Sequence, residues 1–213
     1  MQSEEIRQAD ALYNLTISHA YRFVWFRVAK VGTRTILGHL KASGIPLDVE
    51  HGMWMSYEPQ AFADYFKFAF VRDPFARLVS CWSNKVRDEN YFGFSRAALQ
   101  QMQDFSEFLR WVEQQDLEGG DHHLRKQQRL IDLNQIDLLG RSERFDDDFY
   151  RVCETLGIAC PQIARENASS AAADVESLRQ RYIDRVYRLY EIDFELFGYW
   201  KVTGTRSETR QAI

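Results

Sequence analysis

The chain has 213 residues, 45% hydrophobic and 27% charged, which is the usage of a globular protein with one medium core and excludes wholesale disorder, collagen and coiled-coil rods. Its 27 Lys plus Arg against 31 Asp plus Glu give a formal charge of -4, the wrong sign for a protein that lives on nucleic acid, so any polyanion site is local. No apolar run approaches the ~20 residues that span a bilayer, and the charged opening MQSEEIRQAD is unlike a signal peptide.

In chain order, the first strong element is 21–28 (YRFVWFRV), apolar at nearly every position, which predicts a strand buried on both faces. It breaks at Lys30 to Thr35, and Ile36, Leu37 and Leu40 follow at helical spacing up to Gly44 and Pro46. The pattern recurs: 65–71 (YFKFAFV) predicts a second strand, Asp73 suits an N-cap and Pro74 a first helical position, and Phe75, Leu78, Val79 and Trp82 share one helix face. Asp104 to Glu107 resembles a capping box before the helical spacing of Phe105, Phe108, Leu109 and Val112. After a polar stretch over 119–129, a third strand is predicted at 136–139, then a helix over 145–156 ended by Gly157, and a last long helix from about Ala172. Strands alternating with helices imply an α/β fold with a mainly parallel sheet covered by helices and a ligand site at the carboxyl ends of the strands. One domain is expected over 1–202, with a disordered polar tail over 203–213.

Cys81, Cys153 and Cys160 are odd in number and lack CxxC spacing, which argues against a disulfide framework or zinc site and fits a reducing compartment. Sequons at Asn14 and Asn167 pull the other way. The turn after the first strand carries the sharpest chemistry. A Gly-containing turn that opens a helix offers backbone N–H groups and the positive end of the helix dipole to an anion, and Lys30 stands beside it. The chain has no Gly-Lys pair and no G-x-G-x-x-G, so the nucleotide P-loop and dinucleotide patterns are absent. Arg72 follows the second strand as Lys30 follows the first, and Ser80, two turns on, offers a hydroxyl to the same anion.

These residues resemble a known family. Ala29-Lys30-Val31-Gly32-Thr33-Arg34-Thr35 is similar to the 5′-phosphosulfate loop of sulfotransferases, and 70–80 (FVRDPFARLVS) resembles their 3′-phosphate motif. The branch with the most likeness is the carbohydrate sulfotransferases related to the chondroitin and HNK-1 enzymes, to which 139–145 (LGRSERF) and 190–199 (YEIDFELFGY) are also similar. The resemblance implies a P-loop-kinase-like three-layer fold and 3′-phosphoadenosine 5′-phosphosulfate (PAPS) as donor, with adenosine 3′,5′-bisphosphate as product. By matching position, Lys30 with Val31, Gly32, Thr33, Arg34 and Thr35 would hold the 5′-phosphosulfate, and Arg72 and Ser80 the 3′-phosphate. No metal is demanded, since fixed donors and positioning can supply most of the catalysis of sulfuryl transfer.

The same branch carries a histidine base in a D-x-H-W-x-P-Q-like segment, which places His123 in Asp121-His122-His123-Leu124-Arg125-Lys126-Gln127 as the base. Leu124 stands for Trp and Lys126 for Pro, which keeps His122 as a competitor. Arg125, Lys126 and Arg129 are either contacts for an acidic sugar or a solvated face. The expected function is transfer of a sulfuryl group to a hydroxyl of a carbohydrate or glycoconjugate, without nucleic acid or a membrane span. The alternatives are a P-loop-like nucleotide kinase or a non-catalytic nucleotide-binding module. The expected setting is a bacterial cytoplasm, or the Golgi lumen if the sequence is part of an anchored protein.

Overall fold

The computed structural model describes residues 12–160 and 168–199, and the chain divides into two units, one of Met1–Arg72 with Asp116–Ile163, the other of Asp73–Gln115 with Ala164–Ile213. The tail expected over 203–213 and the sequon at Asn167 lie outside the described residues. In chain order the elements are β1 (Leu12–Ser18), β2 (Phe23–Phe26), α1 (Thr33–Ala42), β3 (Val49–Ser56), β4 (Phe66–Val71), α2 (Pro74–Trp82), α3 (Arg96–Met102), α4 (Phe105–Val112), β5 (Leu138–Arg141), α5 (Phe145–Leu156) and α6 (Ala168–Leu196).

The first unit holds a five-stranded sheet of order β3-β1-β2-β4-β5. The β2–β4 and β4–β5 pairs are parallel, while β1 is antiparallel to both β2 and β3. Four of the five strands therefore run in one direction, and the fold is α/β with a mixed, largely parallel sheet. The strands β2 and β4 fall within the predicted apolar runs, and β5 lies two residues later than the expected 136–139. In β2 and β4 almost every side chain is buried, because helices on a parallel sheet leave no solvated face. Trp25 and Phe68 stack at 5.8 Å across the pair.

No strand is expected before Tyr21, yet β1 is there, and its polar side chains hide it from a hydrophobic pattern. Thr16 donates to the Glu50 carbonyl at 2.7 Å and Ser18 to the Pro46 carbonyl at 2.6 Å. Asn14 is buried and accepts the Trp54 amide at 3.2 Å, so this sequon is not a glycan acceptor in the folded chain.

The register of β5 is held by Asp137, whose carboxylate accepts from the Lys67 amide at 2.7 Å while its own amide donates to the Lys67 carbonyl at 2.8 Å. Gly140 sits opposite Phe70, where a Cβ would lie 2.5 Å from the ring. On this sheet Phe145 and Phe149 of α5 meet Phe70 at 5.3 and 6.4 Å, and His39 of α1 meets Phe149 at 5.5 Å. The helix α5 ends at left-handed Gly157, as the sequence predicts.

In the second unit Asp73 caps α2, and Asp104 caps α4 by accepting from Ser106 and Glu107 at 2.7 and 3.2 Å. The helix α2 packs along α6, and Phe105 meets Phe75 and Tyr182 at 6.1 and 5.5 Å. A kink at buried Tyr190 bends α6. Cys81 and Cys153 are buried and Cys160 is half-buried, and no disulfide joins them. Among the described residues no helix is long and apolar enough to cross a membrane.

Candidate active site

The apolar run of β2 carries the chain to buried Val28 and then into a sharply curled turn. Lys30 has φ 72 and Gly32 φ 94, both left-handed, and Gly32 is the N-cap of α1. At Gly32 the requirement is double. L side chains rarely adopt that φ, and a Cβ would come within 2.6 Å of the Phe145 ring. No side chain caps α1, and its first turn holds no acidic residue. The Thr33 hydroxyl donates to the Val28 carbonyl at 2.8 Å, which leaves its amide for the helix start. Val31 is anchored in the core, whereas Gly32, Arg34 and Thr35 are exposed. A helix N-terminus of this kind presents amides and dipole to an anion.

Arg72 follows β4 directly. Its Nη1 donates to the Lys30 carbonyl at 3.2 Å, which joins the two turns predicted to share one ligand. Its main chain is held by Gln127, a fully buried side chain (0% exposed) whose Oε1 accepts from the Arg72 amide at 3.0 Å and whose Nε2 donates to the Arg72 carbonyl at 2.8 Å. Asp73 is the cap of α2, accepting from Ala76 at 2.8 Å, and pairs with Arg179, so its carboxylate has a structural task. Ser80 lies in the second unit, two turns into α2.

The segment carrying the two histidines folds as a tight turn around Asp121. Its carbonyl accepts from Leu124 and Arg125 at 2.9 and 2.8 Å. Its carboxylate accepts from the His123 amide at 2.8 Å and from His123 Nδ1 at 2.9 Å. An ionised carboxylate only accepts, so the His123–Asp121 contact assigns the proton to Nδ1 and makes Nε2 the atom that would act as base. His123 is 9% exposed, and the His122 ring lies 4.0 Å from it, centroid to centroid. Among the described residues this trio also brings metal-ligand atoms together, within 4.8 Å of one another.

The two departures from the family segment have structural counterparts. Leu124 is buried as a smaller apolar anchor, and the Lys126 amide donates to the Leu117 carbonyl at 2.9 Å, a bond proline cannot make. The neighbouring cations differ in exposure: Arg129 is exposed, Lys126 half-buried and Arg125 buried. Lys126 and Arg129 both pair with Glu118 at 2.5 Å. Burial alone would raise the Glu118 carboxyl, but these two bonds hold it below the usual range. Arg125 is 5% exposed; its guanidinium donates to the Gly119 and Gly120 carbonyls and stacks on Trp54, and burial lowers its pKa. His19, His39 and His51 have local partners in Tyr65, the Ala159 carbonyl and Glu50.

A family model described as the sulfotransferase family matches residues 13–200. This chain belongs to the sulfotransferase family. It is 31% identical to carbohydrate sulfotransferase 10 of Xenopus laevis over 65% of this chain and 48% of that protein. With carbohydrate sulfotransferase 12 of Mus musculus the identity is 28%, over 64% of this chain and 41% of that protein. With carbohydrate sulfotransferase 14 of Danio rerio it is 24%, over 91% and 64%. The matches thus span about half the length of the first two relatives. No solved structure matches the chain.

Gln127 carries no sequence motif of its own. It closes the segment quoted for His123, and an amide side chain ending an apolar-anchored turn is the one available signal. What it holds, the peptide of Arg72, lies 55 residues away in sequence.

Proposed function

We propose that this chain transfers a sulfuryl group from PAPS to a hydroxyl of a carbohydrate or glycoconjugate acceptor by in-line displacement. The observation that carries the reading is the bond from Arg72 to the Lys30 carbonyl at 3.2 Å, because it holds a guanidinium next to the turn that opens an uncapped helix. That donor set fits a molecule with two separate anionic groups, and when bound PAPS supplies the activated sulfuryl group. The amides from Gly32 to Thr35 hold the 5′-phosphosulfate. Lys30 steadies the negative charge that collects on the bridging oxygen as its bond to sulfur breaks. Arg72 takes the 3′-phosphate as a planar fork; Ser80 joins it on the resemblance of its motif. His123 accepts the acceptor's hydroxyl proton at Nε2, and Asp121 keeps the imidazole in that tautomer and stabilises the imidazolium.

Thermal unfolding with ligands tests the donor. Adenosine 3′,5′-bisphosphate at a hundredfold excess over its Kd should stabilise the chain by about 2.7 kcal/mol, and ATP with Mg²⁺ by clearly less. The reverse ranking would favour a nucleotide kinase. His123→Ala should lower the transfer rate by about 10² to 10⁴ with nucleotide binding intact, while His122→Ala stays within about tenfold of wild type. A dead His122→Ala beside an active His123→Ala would exchange the two assignments.

A further inference from the structure

We propose that Trp54 is the platform on which the acceptor's sugar ring stacks, beside the His123 turn. The strand β3 runs in the same direction as β2, since both oppose β1, so its last residues emerge at the sheet edge that carries Lys30 and Arg72. Trp54 has φ 54, a left-handed conformation that a bulky aromatic residue adopts at a cost. The curl breaks the in–out alternation of the strand, and Met53 and Trp54 are exposed in succession. The conformation is held by the buried Asn14 side chain, which accepts the Trp54 amide at 3.2 Å. Strain of this kind recurs at Lys30 on the same edge, and strained backbone gathers at binding sites.

The indole is also fixed from its side chain. The Arg125 guanidinium lies 4.0 Å from the ring centroid and is itself held by the Gly119 and Gly120 carbonyls. Arg125 belongs to the Asp121 turn that orients His123, so platform and base are two parts of one small structure. Trp54 nevertheless stays 41% exposed. A large, rigid aromatic ring braced by a buried cation and still open to water suits the C–H face of a pyranose, which meets the negative π-face of the ring.

The inference rests on the carbohydrate acceptor proposed above, and direct binding to the full chain separates the two. Calorimetric titrations use a desulfated chondroitin hexasaccharide, a neutral N-acetyllactosamine tetrasaccharide and adenosine 3′,5′-bisphosphate. Trp54→Gly removes the ring at a position whose φ suits glycine, so the variant should keep the fold, as the melting temperature and nucleotide binding check. It should bind whichever saccharide the wild type prefers about tenfold or more weakly, with nucleotide affinity within about twofold, and Trp54→Phe should recover most of the loss. In turnover, the loss should appear as a raised acceptor KM with kcat little changed. Unaltered saccharide binding by Trp54→Gly overturns the platform. So does a wild type that binds the nucleotide and ignores both saccharides, a result that leaves the donor assignment standing. Saccharide binding that depends on Trp54 in a chain indifferent to the nucleotide supports the platform and overturns the donor reading instead.

Discussion

The two strand-to-helix turns begin their helices in opposite ways. After β2, α1 starts at Gly32 with no side-chain cap and no acidic residue in its first turn. After β4, α2 starts at Asp73, whose own carboxylate accepts from Ala76 and pairs with Arg179. An uncapped start can offer its amides and dipole to a ligand anion; a start already occupied by a carboxylate repels one. At the second turn, therefore, anion binding must come from the side chain ahead of the helix, and that side chain is Arg72. On the proposed reading, one motif would recognise its group mainly through the main chain, the other through a guanidinium.

The strongest way to break this contrast is at Lys30, which leads the main-chain turn. Lys30→Ala should lower kcat about a hundredfold or more, roughly 2.7 kcal/mol, with a smaller change in affinity for adenosine 3′,5′-bisphosphate, because the charge it meets grows during reaction. Steady-state kinetics with separate nucleotide titrations measure both, and a near-normal kcat would remove this role. Next comes Arg72→Ala, which should weaken adenosine 3′,5′-bisphosphate binding at least about tenfold while leaving AMP binding nearly unchanged. Equal losses for the two ligands would mean that the fork does not read the 3′-phosphate.

Gln127→Ala sharpens the same point with a smaller effect. It leaves both polar groups of the Arg72 peptide without their partner, so the nucleotide should bind about threefold to tenfold more weakly, again with AMP spared. A loss shared by AMP would reduce Gln127 to a packing residue. The smallest change is expected at the capped turn itself. Asp73→Ala should destabilise the protein by about 1 kcal/mol in urea titration, as loss of an N-cap does, without weakening nucleotide binding. A marked fall in nucleotide affinity would show that the carboxylate belongs to the ligand site after all.

Much of this architecture can be read from the chain alone, and the exceptions share a physical cause. Strands buried on both faces, such as FVWF in β2, announce themselves as uninterrupted apolar runs, and Asp73-Pro74 marks a helix start by cap chemistry that is local in sequence. The strand β1 is invisible to such reading because buried Asn14, Thr16 and Ser18 find their partners on segments 28 to 40 residues away. The strand β3 is half exposed and curled at Trp54, so neither alternation nor an apolar run marks it. At the site the pattern is the same. Lys30, Arg72 and His123 stand in motifs, whereas the clasp of Gln127 on Arg72 and the stack of Arg125 on Trp54 exist only once distant segments meet.

The contacts at the strand ends have a mechanical meaning as well. Parallel strands that are oily on both faces lose little solvation energy when they slide, so side-chain pattern alone does not stop them. Three ties do: Arg72 on the Lys30 carbonyl levels β4 with β2, Asp137 on Lys67 levels β5 with β4, and Phe145 against Gly32 closes the loop from β5 back to β2. A slip of one residue moves a strand by about 3.3 Å, as much as a whole hydrogen bond, and undoes two of the three ties together. The rim of the sheet behaves as a tripod, in which each leg checks the height of the other two. A misregistered chain would keep its oily interior and lose its footing at the rim, so nucleotide binding would report correct register more sharply than any measure of secondary structure.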